Sequence, residues 1–278
     1  MSQSDAFRIL DAAWALGVRA FDTAEAYGAS AAMLRAWTDS RSNAHEVEVV
    51  TKCKVDALAS PQEVEEAADA ALSRFDGMRH LTLLSHGPVG ADKWPALLSA
   101  AGRHDATVGQ SVYSPEEVSA ACELPGIGRL QAPGNILDQR AIAARGNTSV
   151  CLDIRSIYLQ GVLLERPDDA DVRAPGASPV AAALQARAAA LHTELAPLLV
   201  ASMLRVIGER DRLVLGVDEM SQLGAFPAAL GIPEGTVRQF MEEVAPLSDD
   251  PATVGILDPR TWPAQPSAGQ AGPTQAAR

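Results

Sequence analysis

Short apolar stretches alternate with longer amphipathic stretches along the 278 residues of the chain. Seven of the apolar stretches are too short for a helix, and several of them have glycine or proline nearby, which together predicts strands. These segments are 18–21, 47–52, 80–85, 106–112, 129–133, 149–157 and 212–217. The segments with helical spacing are 4–16, 29–38, 61–75, 92–102, 114–122, 137–145, 179–207 and 219–230.

Strict alternation of strands and helices predicts a parallel sheet, either doubly wound and open or closed as a (β/α)-barrel. No GxGxxG follows the first strand and no GxxxxGK[ST] is present, which favours the barrel. The chain begins on a helix, so we expect an α/β fold of the TIM (β/α)8 type with seven of eight strands, over residues 1–262. Residues 263–278 have few apolar side chains to bury and are predicted to be a disordered tail. The long, acidic loop 165–178 is predicted to be a flap over the site or a mobile segment.

Composition narrows the kind of partner. The chain has 35 acidic and 23 basic residues, so its net charge of -12 would repel a nucleic-acid backbone or an anionic membrane. It has no signal peptide pattern and no apolar run of ~20 residues. Cys53, Cys122 and Cys151 have no metal-type spacing and are interpreted as reduced thiols. We therefore expect a cytoplasmic protein that binds a small molecule.

Polar side chains mark the ends of consecutive predicted strands. The first strand ends at Asp22, with Tyr27 in the loop beyond it, the second at Lys52 and the third at His86. The later strand ends carry Ser111, Gln131, Asn135, Arg155 and Ser156. Barrels assemble their active sites from the C-terminal ends of several strands, so this pattern predicts a site at one rim.

Each of these side chains also has a plain structural interpretation. Tyr27 could be a packing residue, Lys52 an exposed lysine and His86 a core histidine with satisfied hydrogen bonds. Asp22 lies seven residues before the helix at 29–38, too far for an N-cap. The functional interpretation depends on all four residues occurring at equivalent heights of consecutive strands.

The four residues together suit the reduction of a carbonyl group. A carbonyl that receives hydride becomes an alkoxide and needs a proton, which a tyrosine with a pKa of ~10 gives up slowly near neutral pH. We expect Lys52 to lower the pKa of Tyr27, Asp22 to keep the buried lysine charged, and His86 to orient the substrate oxygen. The hydride must come from a cofactor.

Two other functions are consistent with the same residues. One is a non-catalytic nucleotide-binding or regulatory barrel, which would bind a cofactor and reduce nothing. The other is a metal-dependent isomerase or hydrolase in which Asp22, Glu25 and His86 are the ligands. A chelator would abolish only the activity of the last.

Seven segments resemble, in order, the aldo-keto reductase superfamily. They are GVRAFDTAEAYGAS, VVTK, LLSHGP, GQSVYSPEEVSAA, LQAPGNILDQR, RSIYLQGVLL and VLGVDEMSQL, and the closing LDPRTWP is similar to bacterial members from surface-sugar biosynthesis clusters. The resemblance implies a TIM barrel that binds NADPH without a Rossmann fold and reduces an aldehyde or ketone. The same context suggests a sugar-like substrate.

The resemblance also implies a role for individual residues. It places a catalytic tetrad on Asp22, Tyr27, Lys52 and His86. The implied cofactor contacts are Ser111 and Gln131 at the carboxamide, Ser156, Leu159 and Gly161 at the pyrophosphate, and Gly216, Val217 and Gln222 at the adenosine end. No metal ligand is implied.

The chain departs from this family in four places. No first barrel strand precedes Met1, Val112 replaces a common asparagine, and Gly134 replaces an aromatic residue. Asp218 and Glu219 stand where relatives that prefer NADPH often carry lysine or arginine, so NADH stays open as the cofactor. The missing strand would expose the edges of its neighbours. We expect one of three explanations: the natural protein starts further upstream, a loop or a second copy of the chain covers the edges, or the barrel is degraded and inactive.

Overall fold

The computed structural model describes residues 1–42, 44–55 and 60–263, so the tail predicted at 263–278 lies outside the described residues except for Pro263. Seven parallel strands form one sheet in the order β1 to β7. They are β1 Ala20–Asp22, β2 Glu48–Cys53, β3 His80–Ser85, β4 Thr107–Ser111, β5 Arg129–Pro133, β6 Cys151–Arg155 and β7 Arg212–Leu213. The predicted α/β barrel with seven strands is confirmed.

The sheet curls around a polar interior. Arg212 of β7 donates a hydrogen bond of 2.6 Å to Glu48 of β2, and Arg129 of β5 donates one of 2.6 Å to Asp153 of β6. Among the described residues, no strand ladder joins β1 to β7. These two strands, with three and two residues, are also the shortest, since each has a neighbour on one side only.

Helices cover the outside of the sheet. Those in the described part of the chain are α1 Gln3–Ala15, α2 Ser30–Asp39, α3 Pro61–Ser73, α4 Trp94–Arg103, α5 Pro115–Cys122, α6 Arg140–Arg145, α7 Pro167–Arg173, α8 Ser178–Ala190, α9 Leu195–Val206, α10 Ala225–Leu230, α11 Glu234–Val244 and α12 Pro251–Ile256. Short 3-10 helices lie at Ala44–Glu46, Val162–Leu164, Met220–Gly224, Ala245–Asp249 and Pro259–Thr261.

Helices α3 and α5 begin with complete capping boxes. The Ser60 hydroxyl accepts from the Glu63 backbone N–H at 3.2 Å, and the Glu63 carboxylate accepts from the Ser60 N–H at 3.0 Å. Ser114 and Glu117 repeat this exchange at 3.2 Å and 3.1 Å. A proline follows each serine, so both starts satisfy backbone donors that would otherwise lack partners.

The helix predicted over 179–207 is instead two helices, α8 and α9. The chain turns at His192, whose φ is +51°, and the Thr193 hydroxyl donates to the Leu191 carbonyl at 3.0 Å. The two axes differ by 93°, and both helices bury apolar residues in the same core. Within the described ranges, no single helix meets the length and apolarity of a membrane span, and α8 and α9 meet them only when joined.

The segment 165–178, expected to be a flap or mobile loop, contains the short helix α7. Pro167 begins it, Asp168 and Asp169 occupy its first turn, and Arg173 lies in its last turn. This charge order matches the helix dipole. Arg173 also forms an ion pair with Glu165, which ties the helix to the preceding loop.

Gly109 in β4 has no space for a side chain. An added Cβ would lie 1.8 Å from the Arg129 carbonyl oxygen on β5. We expect Gly109→Ala to lower the free energy of unfolding by about 1–3 kcal/mol, measured by urea denaturation. Gly102→Ala in α4 is the control, since nothing lies within 4 Å of its added Cβ, and it should stabilise slightly. An equal loss in both variants would contradict the close strand approach.

Candidate active site

A small cavity lies at the C-terminal ends of the strands, and its volume is about 130 Å³. Its lining residues are Tyr27, His86, Gly87, Ser111, Tyr113 and Arg155. Ser111 ends β4, Arg155 ends β6 and His86 directly follows β3. The cavity is therefore at the rim where barrels carry their chemistry.

The buried Lys52 forms an ion pair with the half-buried Asp22 next to this cavity. Lys52 Nζ lies 2.5 Å and 2.7 Å from the two Asp22 carboxylate oxygens and 3.4 Å from the Thr23 carbonyl oxygen. Lys52 is 1% exposed. Burial lowers the pKa of its ammonium group, and the Asp22 carboxylate opposes that shift. These contacts hold the Lys52 amine against the Asp22 carboxylate.

Tyr27 lies in the loop after β1, next to the ion pair. Its ring centroid is 5.1 Å from Lys52 Nζ, and its ring meets the His86 imidazole edge-on with 6.0 Å between centroids. Partial burial and then the Asp22 carboxylate raise the pKa of Tyr27, while Arg155 opposes the shift. The pKa of Tyr27 is therefore raised, whereas the sequence predicted that it would be lowered. The larger cause is the partial burial of the phenol, and the second is the negative charge of Asp22.

A tight turn after β3 places His86 at the rim. Its backbone N–H donates to the Cys53 carbonyl of β2 at 2.8 Å. The Ser85 hydroxyl donates to the Gly87 carbonyl at 2.6 Å, and Gly87 has a φ of +133°, which glycine adopts without strain. The turn thus sets the imidazole beside Tyr27 on the cavity wall.

Arg155 and Tyr113 form the other wall. The Arg155 guanidinium carbon lies 4.1 Å from the Tyr113 ring centroid, and an Arg155 Nη donates to the Val112 carbonyl at 3.3 Å. Arg260 covers the ring as well, at 4.4 Å. The sequence marked Arg155 only as a strand end and missed Tyr113. Tyr113 lies two residues after the end of β4, and this position at a strand end is the signal that could have identified it.

Of the two residues expected at the nicotinamide carboxamide, Ser111 lines the cavity and Gln131 does not. Gln131 is 1% exposed, and its amide nitrogen donates to an Asp22 carboxylate oxygen at 2.9 Å. In this arrangement Gln131 supports the Lys52–Asp22 ion pair.

The loop after β6 has a strained backbone. Ser156, Leu159 and Gln160 have φ values of +63°, +49° and +54°, and Gly161 has +94°. Non-glycine residues in this region cost about 1–3 kcal/mol each and concentrate at functional sites. The backbone N–H groups of Leu159 and Gly161 donate within the loop, to the Ser156 and Tyr158 carbonyls at 2.8 Å and 2.9 Å. The loop is thus a set of tight turns directly after β6, beside the rim that carries Ser111.

The loop expected at the adenosine end is held by its own side chains. The Gln222 side-chain oxygen accepts from the backbone N–H groups of Asp218 and Glu219 at 2.6 Å and 3.1 Å. Gly216 is exposed and Val217 is half-buried. Gln222 thus shapes the turn.

A wider cleft of about 560 Å³ separates this loop from the start of α1. Its lining residues are Met1, Asp5, Arg8, Ile9, Asp218, Glu219, Met220 and Ser221. Three of them are acidic, and the single arginine is 2.5 Å from Asp5. The cleft therefore carries a net negative charge.

A metal site at Asp22, Glu25 and His86 is not supported by this geometry. The ammonium group of Lys52 already occupies both oxygens of Asp22. In the parts of the chain that the structure describes, no group of three His, Cys, Asp or Glu side chains could hold a metal ion.

Residues 1–123 match the family described as the aldo/keto reductase family. No curated protein matches the chain. Among solved structures, the holo form of aldo-keto reductase AKR11C1 from Bacillus halodurans has a TM-score of 0.66 and 18% identity, and the match covers 88% of each chain.

Two other solved structures are similar over most of the chain. The glycerol dehydrogenase AKR11B4 from Gluconobacter oxydans has a TM-score of 0.68 and 14% identity, covering 95% of this chain and 88% of that one. An aldo/keto reductase from Brucella melitensis has a TM-score of 0.65 and 13% identity, covering 87% and 90%. Residues 1–123 thus carry the sequence pattern of the aldo/keto reductase family, and the described residues as a whole have the fold of bacterial aldo-keto reductases.

Proposed function

We propose that the chain is a cytoplasmic enzyme that reduces the carbonyl group of a small molecule with a nicotinamide cofactor. The observation that carries the proposal is the grouping of Tyr27, His86, Lys52 and Asp22 at one rim. All four lie within the segment that matches the family. When bound, the cofactor supplies a hydride to the carbonyl carbon. Ser111 and the loop 156–161 would hold it.

Tyr27 holds the proton that the reaction consumes. A phenol has an ordinary pKa of ~10 and is protonated at neutral pH, and partial burial raises the pKa of Tyr27 further. As the carbonyl carbon gains hydride, the electron pair of the C=O bond moves to oxygen, and the Tyr27 hydroxyl transfers its proton there. Because Tyr27 is 47% exposed, the phenolate regains a proton from water. One carbonyl, one hydride and one proton give one alcohol.

The neighbours of Tyr27 orient the reaction. The His86 imidazole shares the cavity wall with Tyr27 and can donate a hydrogen bond to the substrate oxygen. The Lys52 ammonium faces the Tyr27 ring, so its charge favours the phenolate as the proton leaves. Asp22 and Gln131 hold that amine in place.

The direct test is oxidation of NADH and NADPH in the presence of short aldehydes, ketones and sugar-like carbonyl compounds. We expect turnover with at least one class, together with the corresponding alcohol as product. Cofactor binding by fluorescence without turnover across the panel would overturn the proposal and favour the non-catalytic nucleotide-binding barrel.

The acidic cleft predicts the choice of cofactor. A 2′-phosphate in this cleft would face Asp5, Asp218 and Glu219, whereas a ribose with free hydroxyls would not be repelled. We expect NADH to bind about tenfold tighter than NADPH, a difference of about 1.4 kcal/mol, in fluorescence titrations. Asp218→Arg should reverse much of this preference.

Glu242→Arg is the matched control, since it makes the same charge change on an exposed position of α11 outside the cleft. It should leave the ratio of the two dissociation constants unchanged. Equal shifts in Asp218→Arg and Glu242→Arg would mean that net charge, and not the cleft, sets the preference.

A further inference from the structure

Arg155 brings a positive charge to the cavity, and no acidic side chain in the described part of the chain pairs with it. It ends β6 and is half-buried, and its contacts are the Tyr113 ring and the Val112 carbonyl. Over residues 1–42, 44–55 and 60–263, no carboxylate lies within ion-pair distance of it. A partly buried cation without a counter-ion is unfavourable, and a bound anion would remove that cost.

Among the described residues, Arg19 and Arg187 also donate only to carbonyl groups, but neither lines the cavity. Two arginines in surroundings closer to those of Arg155 do have a carboxylate partner. Arg260 stacks on the same Tyr113 ring, but its guanidinium is 2.7 Å from the Asp258 carboxylate. Arg129 at the barrel interior is 2.6 Å from Asp153. The charge of Arg155 instead reaches the reacting groups, because it opposes the rise in the pKa of Tyr27.

We propose that Arg155 binds the carboxylate of the substrate, so that the site selects short carbonyl compounds that also carry a carboxylate. This inference rests on the proposed function. A guanidinium pairs with a carboxylate through two parallel hydrogen bonds, and Tyr113 holds its plane. Ser111, which is assigned to the cofactor, lines the same cavity of about 130 Å³, so only part of this small space is left for the substrate, which favours a short one.

The positions of the lining residues assign the carboxylate and the carbonyl of such a substrate to opposite sides of the cavity. Arg155 and Ser111 lie at the ends of β6 and β4, whereas Tyr27 and His86 come from the loops after β1 and β3. A carboxylate at Arg155 would therefore direct the carbonyl toward the phenol and the imidazole on the opposite wall.

The experiment compares two four-carbon aldehydes, 4-oxobutanoate and butanal, with the wild type and Arg155→Gln. We expect the wild type to have a kcat/KM at least tenfold higher for 4-oxobutanoate. Arg155→Gln should lower kcat/KM for 4-oxobutanoate about 30-fold, mainly through KM, and change the value for butanal less than threefold.

Arg260→Gln is the matched control, since it removes the other guanidinium on the same ring but not one that lines the cavity. It should leave the ratio between the two aldehydes unchanged. Equal loss on both aldehydes in Arg155→Gln, or a weaker binding of NADH in place of a higher KM, would overturn the assignment and indicate a cofactor contact.

The inference and the proposed function can fail separately. If the wild type reduces butanal without preferring 4-oxobutanoate, the inference fails and the reductase proposal stands. If neither aldehyde is reduced, the binding of succinate, measured by calorimetry, tests whether Arg155 binds a carboxylate. Binding to the wild type that is lost in Arg155→Gln and kept in Arg260→Gln supports a carboxylate site, and no binding to the wild type overturns it.

Discussion

Replacing Tyr27 with phenylalanine is expected to lower kcat for carbonyl reduction by about 10²–10⁴-fold, the usual contribution of a general acid. The ring would remain against Lys52 and His86, so the cavity should keep its shape. What disappears is the hydroxyl that supplies the proton. Binding of NADH should persist, measured by fluorescence titration alongside steady-state kinetics. The variant would then bind its cofactor and turn over slowly.

The matched comparison is Tyr113→Phe, which removes the other hydroxyl of the same cavity. Tyr113 stacks on Arg155 and Arg260 and has no contact with the Lys52–Asp22 pair among the described residues. We expect its kcat to fall less than tenfold. If the two variants lose equally, neither phenol is singled out as the proton donor and the assignment to Tyr27 fails. If Tyr27→Phe stays fully active and Tyr113→Phe does not, the proton donor has been assigned to the wrong phenol.

The placement of the site was predictable because it depends on strand order. Parallel strands expose their C-terminal ends at one rim, so Asp22, Lys52 and His86 had to approach one another once three consecutive strands were recognised. Capping boxes at Ser60 and Ser114 were predictable too, since they need only residues close in sequence. Both results follow from the sequence because capping depends on residues close in the chain and the rim depends only on the order of the strands.

The electrostatics of the site was not predictable, because it depends on where side chains point. The sequence placed an amine near a phenol but could not tell that both oxygens of Asp22 hold the amine, nor that Gln131 joins them. The sequence also could not show that the Tyr27 phenol is partly buried close to the Asp22 carboxylate, and these two effects raise its pKa against the expected direction.

Packing over long sequence distances was equally hidden from the sequence. The break at His192 depends on a core that α8 and α9 enter at 93° to each other, which no helical periodicity encodes. The sequence likewise could not show that Arg155 contacts Tyr113 and Val112 and has no carboxylate partner among the described residues.

Replacing Asp22 with asparagine is expected to lower the free energy of unfolding by about 3–5 kcal/mol at pH 7. The Lys52 side chain is fully buried, and Asp22 is the carboxylate that contacts its ammonium group. The variant keeps the size of the side chain but leaves a buried positive charge without a counter-ion. Urea denaturation of the two proteins in the same buffer measures the loss.

The loss should depend on pH in a defined direction. Burial already lowers the pKa of Lys52 from its ordinary value of 10.5, and removing Asp22 lowers it further. Between the lowered pKa and 10.5, the unfolded chain binds more protons than the folded chain, so stability rises with pH across that window. Relative to the wild type, Asp22→Asn should therefore recover stability as the pH approaches 10.

Two controls separate the buried charge from the lost hydrogen bonds. Adding Lys52→Met to Asp22→Asn removes the charge, so the double variant should regain part of the stability and lose the pH dependence. Asp258→Asn breaks the exposed ion pair with Arg260 and should cost about 0–1 kcal/mol with no slope in this window. If Asp22→Asn matched Asp258→Asn in size and slope, the amine of Lys52 would be neutral in the folded protein. The phenolate of Tyr27 would then have no cation beside it, and the role given to this amine in the reaction would have to be abandoned.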